Sequence, residues 1–287
     1  KNKSFINSVS INSKKINKNS IFIGVKGKKF DGNLYADDAT RNGAILALSN
    51  KKSKNPKIIF QQNPLNVFNK ISSIYRKSLH ANNIAITGSA GKTSVKELTG
   101  FCLSKLAKTY FSKNSFNNKY GVPLSIFNAP EETKFVVLEV GMDKKGEIDK
   151  LTKLIKPNLG LITNISYAHI ENFKNLKQIA QAKSEMINNI IPGGTIVINR
   201  DDKYYSYFLK KAKKQKIKII SFSKKNKNAN IVFLNEKKIK NKYLITLKIN
   251  NKIKSFLISK ELLNYKQNIL ASLSIIINYF EIEKLNN

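Results

Sequence analysis

From residue 83 onward, short apolar runs alternate with longer stretches whose apolar residues recur every three or four positions. The runs 84–87, 135–140, 159–164, 195–198 and 217–222 predict buried strands, and the stretches 92–106, 146–155, 176–190 and 204–214 predict helices. Alternation of this kind with short connections implies a mostly parallel sheet with helices on both faces. Segments 230–235, 241–249 and 252–258, separated by polar turns, predict an antiparallel meander, and 265–280 a closing amphipathic helix. Ahead of this unit, 21–25, 44–48 and 57–60 read as strands, 26–33 as a turn-rich loop and 34–42 as a helix. A helix over 64–80 sets Leu65, Phe68, Ile71, Ile74 and Tyr75 along one face. The expected division is a small N-terminal α/β domain, 1–81, followed by a larger α/β domain, 82–287.

Chemistry enters where the first strand of the larger domain ends. Gly88-Ser89-Ala90-Gly91-Lys92-Thr93-Ser94 stands between the apolar run Ile84, Ala85, Ile86 and a helix carrying Val95, Leu98 and Phe101. Strand, glycine loop and helix together make a phosphate cradle. Glycines let backbone N–H groups wrap an anion, the lysine adds a point charge, and the following hydroxyl can hold Mg²⁺. The strict eight-position P-loop pattern needs glycine where Ile86 stands, so the match is to the shorter G-x-x-G-K-T-S form. The larger domain is thus expected to be a P-loop NTPase-like sheet that binds a nucleoside triphosphate.

Metal ligands for such a site belong at the ends of neighbouring strands. Glu139 lies near the end of the run V-V-L-E-V, where an unpaired carboxylate is costly to bury; a structural salt bridge is the competing reading. His169 falls just past the end of the strand 159–164 and is a candidate ligand, while His80 lies on a predicted surface helix. Lys183 carries no signal of its own, and a solvated helix position is its default reading.

The formal net charge of +34 raises the possibility of a nucleic-acid partner, and a nucleic-acid-binding P-loop ATPase is one alternative. The make-up of that charge argues against it. Arg41, Arg76 and Arg200 are the only arginines among 52 basic residues, and the lysines are scattered among asparagines and isoleucines. Nucleic-acid surfaces favour arginine and interleaved aromatics. No nucleic acid is therefore expected. Cys102 is the only cysteine, so no internal disulfide can form, which fits the cytoplasm. No apolar run approaches the roughly 18 residues of a membrane span, and the lysine-rich start lacks a signal-peptide core. The chain opens on Lys1 rather than methionine, which suggests a piece of a longer product.

Several ordered stretches carry a family resemblance over roughly residues 9–280. They are S-I-N-S-K-K-I-N-K-N-S-I-F-I-G-V-K-G-K-K-F-D-G-N (10–33), I-T-G-S-A-G-K-T-S-V-K-E (86–97) and S-F-N-N-K-Y-G-V-P-L-S (115–125). V-L-E-V-G-M-D-K-K-G-E-I (137–148), T-N-I-S-Y-A-H-I-E-N-F (163–173), A-Q-A-K-S-E-M-I (180–187) and I-N-R-D-D (198–202) follow. The chain resembles the Mur ligases, ATP-dependent amide-forming enzymes of peptidoglycan precursor synthesis. E-N-F-K-N-L after His169 is similar to the branch that adds D-Ala-D-Ala to UDP-N-acetylmuramoyl-tripeptide. The sister that adds the third residue, and folylpolyglutamate synthase, are the neighbouring alternatives.

The resemblance implies a role for each matched position. Gly88, Ser89, Ala90, Gly91, Lys92, Thr93 and Ser94 would bind ATP phosphates, with Asn268 near the adenine. Thr93 and Glu139 would serve one Mg²⁺, and His169 with a carbamylated Lys183 a second. Lys92, Lys183 and His169 would be catalytic. Asn117 and Asn118 match substrate-contacting asparagines, and Ser13 a residue at the uridine site. The chain departs from the family pattern at Asn12-Ser13-Lys14, at D-G-N ending in Asn33, and at N-Y-K before the adenine-side asparagine. The family has a third domain that this chain stops short of, so weak nucleotide binding and little ligation are expected of this chain alone. A monomer is expected.

Overall fold

The structure is a computed structural model and describes residues 6, 8–27, 30–112, 114–167, 172–281 and 283. His169 lies outside the described residues. The chain forms two compact units, one of residues 1–80 with 123–131 and one of 81–122 with 132–287. Residues 123–131 fall inside the second stretch of the linear sequence yet belong to the first unit.

In the first unit, β1 (Ser8–Ser10), β2 (Ser20–Ile23), β3 (Ala44–Ser49) and β4 (Ile58–Phe60) pair in that order as a wholly parallel sheet. Helix α1 (Ala36–Arg41) leads into β3, and β4 leads into α2 (Pro64–Ser78). β2 is buried along its whole length and feeds both faces. Ile21 and Ile23 pack with Phe68 and Leu124, while Phe22 packs with Ala36, Ala39 and Ala47. The helix expected at 34–42 starts later: Gly32–Tyr35 is a 3-10 turn capped by the Asp31 carboxylate, and α1 follows it. On α2, Ile74 is 69% exposed rather than core-facing. Buried Ser72 shares the inward face instead, its hydroxyl donating to the Pro123 carbonyl at 3.2 Å.

The second unit begins with β5 (Asn82–Thr87), α3 (Lys92–Ser104) and β6 (Thr109–Phe111). Helix α4 (Gly121–Phe127), whose residues from Pro123 on belong to the first unit, comes next in the chain, and β7 (Phe135–Glu139), α5 (Glu147–Ile155) and β8 (Leu159–Ile162) follow in the second. Next come α6 (Leu176–Lys183), β9 (Thr195–Asn199), α7 (Tyr205–Lys214) and β10 (Lys218–Ser223). Strands β11 (Ile231–Ile239), β12 (Lys242–Ile249) and β13 (Lys252–Ser259) precede α8 (Lys260–Leu263) and α9 (Lys266–Ile276).

These strands build a nine-stranded sheet in the order β13-β12-β11-β10-β9-β8-β5-β7-β6. All pairings from β6 to β11 are parallel, and β11, β12 and β13 form the antiparallel meander. The expected α/β class with a mostly parallel sheet and a terminal meander holds. Asn250 and Asn251, both at positive φ, make the two-residue turn between β12 and β13 that twisted hairpins favour. The helix expected over 176–190 tightens after Lys183 into a 3-10 segment, Ser184–Asn189. Strand β6 and helix α4 had no counterpart in the sequence reading. The core beneath the sheet is Ile84, Ile86, Val137, Leu161 and Val197 against Val95 and Leu103 of α3 and Leu270 and Ile275 of α9. Cys102 is half-buried and packs on that cluster.

One feature of this topology locates the site. β5 has β7 on one side and β8 on the other, so successive crossovers leave it in opposite directions. In open α/β sheets a ligand crevice forms outside the carboxyl ends of strands at such a reversal. Thr87, Glu139 and Thr163 stand at or just beyond those ends.

Candidate nucleotide site

The glycine loop leaves β5 at Gly88, with φ +152°, and enters α3 through Gly91, with φ +80°. Only glycine adopts such angles freely. Space enforces the same choice, because a Cβ on Gly88 would lie 1.7 Å from Thr163 Oγ1, and one on Gly91 would lie 2.9 Å from Asn268 Oδ1. The loop is pinned from the neighbouring strand's end. Thr163 Oγ1 donates to the Ala90 carbonyl at 2.6 Å, Asn164 accepts from Ser89 N and Ala90 N, and the Ser89 hydroxyl donates to the Ser166 carbonyl. No side chain caps the N-terminus of α3, so its first-turn N–H groups and the positive end of the helix dipole are available to an anion. Ser94 is exposed on that first turn.

Two lysines converge on one carbonyl of this loop. Lys92 Nζ donates to Gly88 O at 3.0 Å and to Ser89 O at 3.3 Å, and Lys183 Nζ donates to Gly88 O at 2.9 Å. Lys183 is 1% exposed, which overturns its default reading as a solvated helix position. Burial, with the Lys92 charge adding to it, pushes the Lys183 amine down to about 7. Burial lowers Lys92 as well, against the opposing pull of Glu139.

Glu139 ends β7 and is 1% exposed. Thr93 Oγ1 donates to its Oε2 at 2.7 Å, and Asn117 Nδ2 donates to its Oε1 at 2.7 Å. The reading of Glu139 as half of a structural salt bridge finds no support here: its partners are a hydroxyl and an amide. Ser115 Oγ lies 3.4 Å from Thr93 Oγ1. One carboxylate beside one hydroxyl is a hard oxygen pair of the kind on which Mg²⁺ sits while taking its remaining oxygens from water and phosphate. Among the described residues no group of three or more Asp, Glu, His or Cys side chains gathers at one point.

The remaining expected positions fall as follows. Asn268, on α9, abuts Gly91. Asn118 Oδ1 accepts from Tyr120 N and Gly121 N, both at 3.0 Å, and so caps the start of α4. Ser13 lies in the first unit, in the turn after β1, its carbonyl accepting from Asn42 Nδ2. Sequence reasoning had not singled out Asp202. Its carboxylate accepts from Ile165 N at 2.7 Å and Tyr204 N at 2.8 Å, and burial pushes it up. It thereby braces the segment beyond β8.

Residues 86–276 match the Mur ligase middle domain, and residues 5–97 match the Mur ligase family catalytic domain. The chain belongs to the Mur ligase family. A relative from Buchnera aphidicola subsp. Baizongia pistaciae, named UDP-N-acetylmuramoyl-tripeptide–D-alanyl-D-alanine ligase, is 38% identical over 226 residues. That match covers 77% of this chain and 48% of the relative. The chain thus spans about half the length of the curated relatives it matches. Among solved structures, MurF from Acinetobacter baumannii has a TM-score of 0.86 at 24% identity, covering 98% of this chain and 61% of that one. MurF ligase from Thermotoga maritima in complex with ADP has a TM-score of 0.79 at 24% identity, covering 94% and 62%. Both likenesses bear on the fold. No helix among the described residues is long and apolar enough to cross a membrane.

Proposed function

We propose that this chain carries the UDP-sugar-binding and ATP-binding parts of a cytoplasmic, monomeric ligase that joins D-Ala-D-Ala to UDP-N-acetylmuramoyl-tripeptide. The observation that carries this reading is the meeting of Thr93, Glu139 and Asn117 beside the Gly88–Gly91 loop, in a Mur ligase chain whose 38%-identical relative bears that name. In the reaction, a carboxylate oxygen of the tripeptide attacks the γ-phosphorus of ATP, and the bond to ADP breaks. The D-Ala-D-Ala amine then attacks the acyl carbon, loses its proton, and phosphate leaves.

The chain's own residues divide this work. The backbone N–H groups at the start of α3, with Ser89, Ala90, Gly91 and Ser94, hold the phosphates. Lys92 turns from the loop carbonyls to the β/γ-phosphates, and Asn268 lies on the adenine side. Mg²⁺, when bound, supplies charge neutralisation on the transferring phosphoryl group. Thr93 and Glu139 would hold one ion, and His169 with Lys183 a second. An amine lowered to about 7 is substantially neutral at cellular pH, and a neutral amine is what CO₂ must meet to form a carbamate. A carbamate suits Mg²⁺ as an ammonium does not. Asn117 and Asn118 meet the peptide end of the substrate, and Ser13 the uridine end.

Calorimetry tests the reading. Lys92→Ala should weaken Mg-nucleotide binding by at least tenfold with an unchanged circular dichroism spectrum; unweakened binding sinks the nucleotide assignment. UDP-N-acetylmuramoyl-tripeptide should bind at least tenfold more tightly than the corresponding dipeptide conjugate, and the reverse order would favour the sister that adds the third residue. With ¹³C-bicarbonate, the parent should give a carbamate NMR signal that Lys183→Met lacks.

A further inference from the structure

Lys96 lies one helical turn beyond Lys92 on α3 and is wholly buried, at 0% exposure. Its Nζ donates to the carbonyl of Ser112 at 2.5 Å and to that of Asn114 at 2.7 Å, and lies 2.8 Å from Glu97 Oε1. A lysine ammonium has three N–H donors; here each has an acceptor. Two of those acceptors belong to the stretch that leaves β6 and turns through Asn114 at φ +52°. Immediately beyond that turn come Ser115, 3.4 Å from Thr93 Oγ1, and Asn117, whose amide reaches Glu139. Asn117 is further held by its own backbone, its N–H donating to Ser115 O and its carbonyl accepting from Gly141 N, both at 2.8 Å. A non-polar side chain of similar length would fill the space but leave the carbonyl of buried Ser112 and that of Asn114 without this donor, and an unmet acceptor at a buried residue is the costly half of losing such a bond.

We propose that Lys96 is a positioning residue that ties Ser112 and Asn114 to α3, so that Asn117 and Ser115 meet Glu139 and Thr93 in one fixed geometry. The loop that holds phosphate and the loop that orients Glu139 are thereby referred to a single helix. The inference rests on the reading above that this crevice takes a nucleotide and a divalent cation, and it acts on the cation side of the crevice. Lys96 itself touches neither.

Amide hydrogen exchange on the 287-residue chain tests the tether without any ligand. In Lys96→Met, exchange at the Asn117 amide and at the Gly141 amide that donates to the Asn117 carbonyl should rise at least tenfold, while α3 and β7 stay within about twofold of the parent. Unchanged protection of those amides overturns the proposal. So does failure of both Lys96→Met and Lys96→Gln to fold at 25 °C, which would make Lys96 a core residue rather than a positioning one.

The second arm is a double-mutant cycle read by Mn²⁺ binding to the nucleotide complex. Lys96→Met should bind metal-free nucleotide within about twofold of the parent but lose about tenfold in Mn²⁺ affinity. Asn117→Ala should lose a similar factor, and the double variant no more than either, because one acts through the other. Additive losses overturn the proposal. If the parent binds neither nucleotide nor Mn²⁺, the nucleotide reading falls while the exchange arm still decides the tether.

Discussion

A lysine enclosed by protein without a carboxylate partner is driven towards its neutral form. Lys183 faces the Gly88 carbonyl with Lys92 beside it, and its amine is pushed down to about 7. In the unfolded chain the same amine titrates near its ordinary value of about 10.4. Between those two values the unfolded chain binds more protons than the folded one, so folded stability contributed at this site rises with pH. In CO₂-free buffer, the parent should therefore gain on Lys183→Met as pH is raised from 7 to 9.5. The gap between their melting temperatures should change by several degrees, and parallel melting curves would contradict the burial argument. Nothing in the local sequence reveals this residue. It stands in a helix of ordinary periodicity among many lysines, and only the family resemblance pointed to it. Glu139 was legible because a carboxylate ending an apolar strand is anomalous by itself. Lys96 was not, since a lysine on a helix after a phosphate loop has no such anomaly; its burial depends on β6.

At the scale of elements, the turn from β5 into α3 is the most sharply specified part of the fold. Gly88 combines a backbone angle that L residues resist with a side-chain position already filled by Thr163, whereas Gly193, at φ +75°, has nothing within 4 Å of an added Cβ. Gly193→Ala should thus cost only the backbone term, about 1 kcal/mol. Gly88→Ala should cost roughly 2–5 kcal/mol, the sum of strain and overpacking. Urea denaturation read at the midpoint would reveal equal losses if the loop and Thr163 were free to move apart. The elements that escaped the sequence reading have physical causes too. β6 is three residues of a parallel edge strand, too short for a period. Helix α4 begins Gly121-Val122-Pro123, which reads as a breaker, yet proline within a first turn costs no helical hydrogen bond. The 3-10 segment after α6 has the same apolar spacing as an α-helix over so short a stretch.

At the scale of the whole molecule, the chain carries a net charge of +34, and its crevice is proposed to take polyanionic substrates. Nucleotide affinity should fall as ionic strength rises, since exposed charges are screened within about 8 Å at physiological salt. Duplex DNA at 150 mM salt should neither compete stoichiometrically with nucleotide nor stimulate phosphate release; either effect would revive a nucleic-acid role for the lysines. The sequence by itself determined the α/β class, the meander, the phosphate loop and the family, because periodicity, glycine placement and ordered motifs are local properties of the chain. Tertiary structure decided the return of residues 123–131 to the first unit, the depth of Lys183 and Lys96, and the hydrogen bonds that join Asn117 and Thr93 to Glu139. Those facts depend on which strand ends lie side by side, and strand order is set by packing across the sheet rather than by neighbours in the chain.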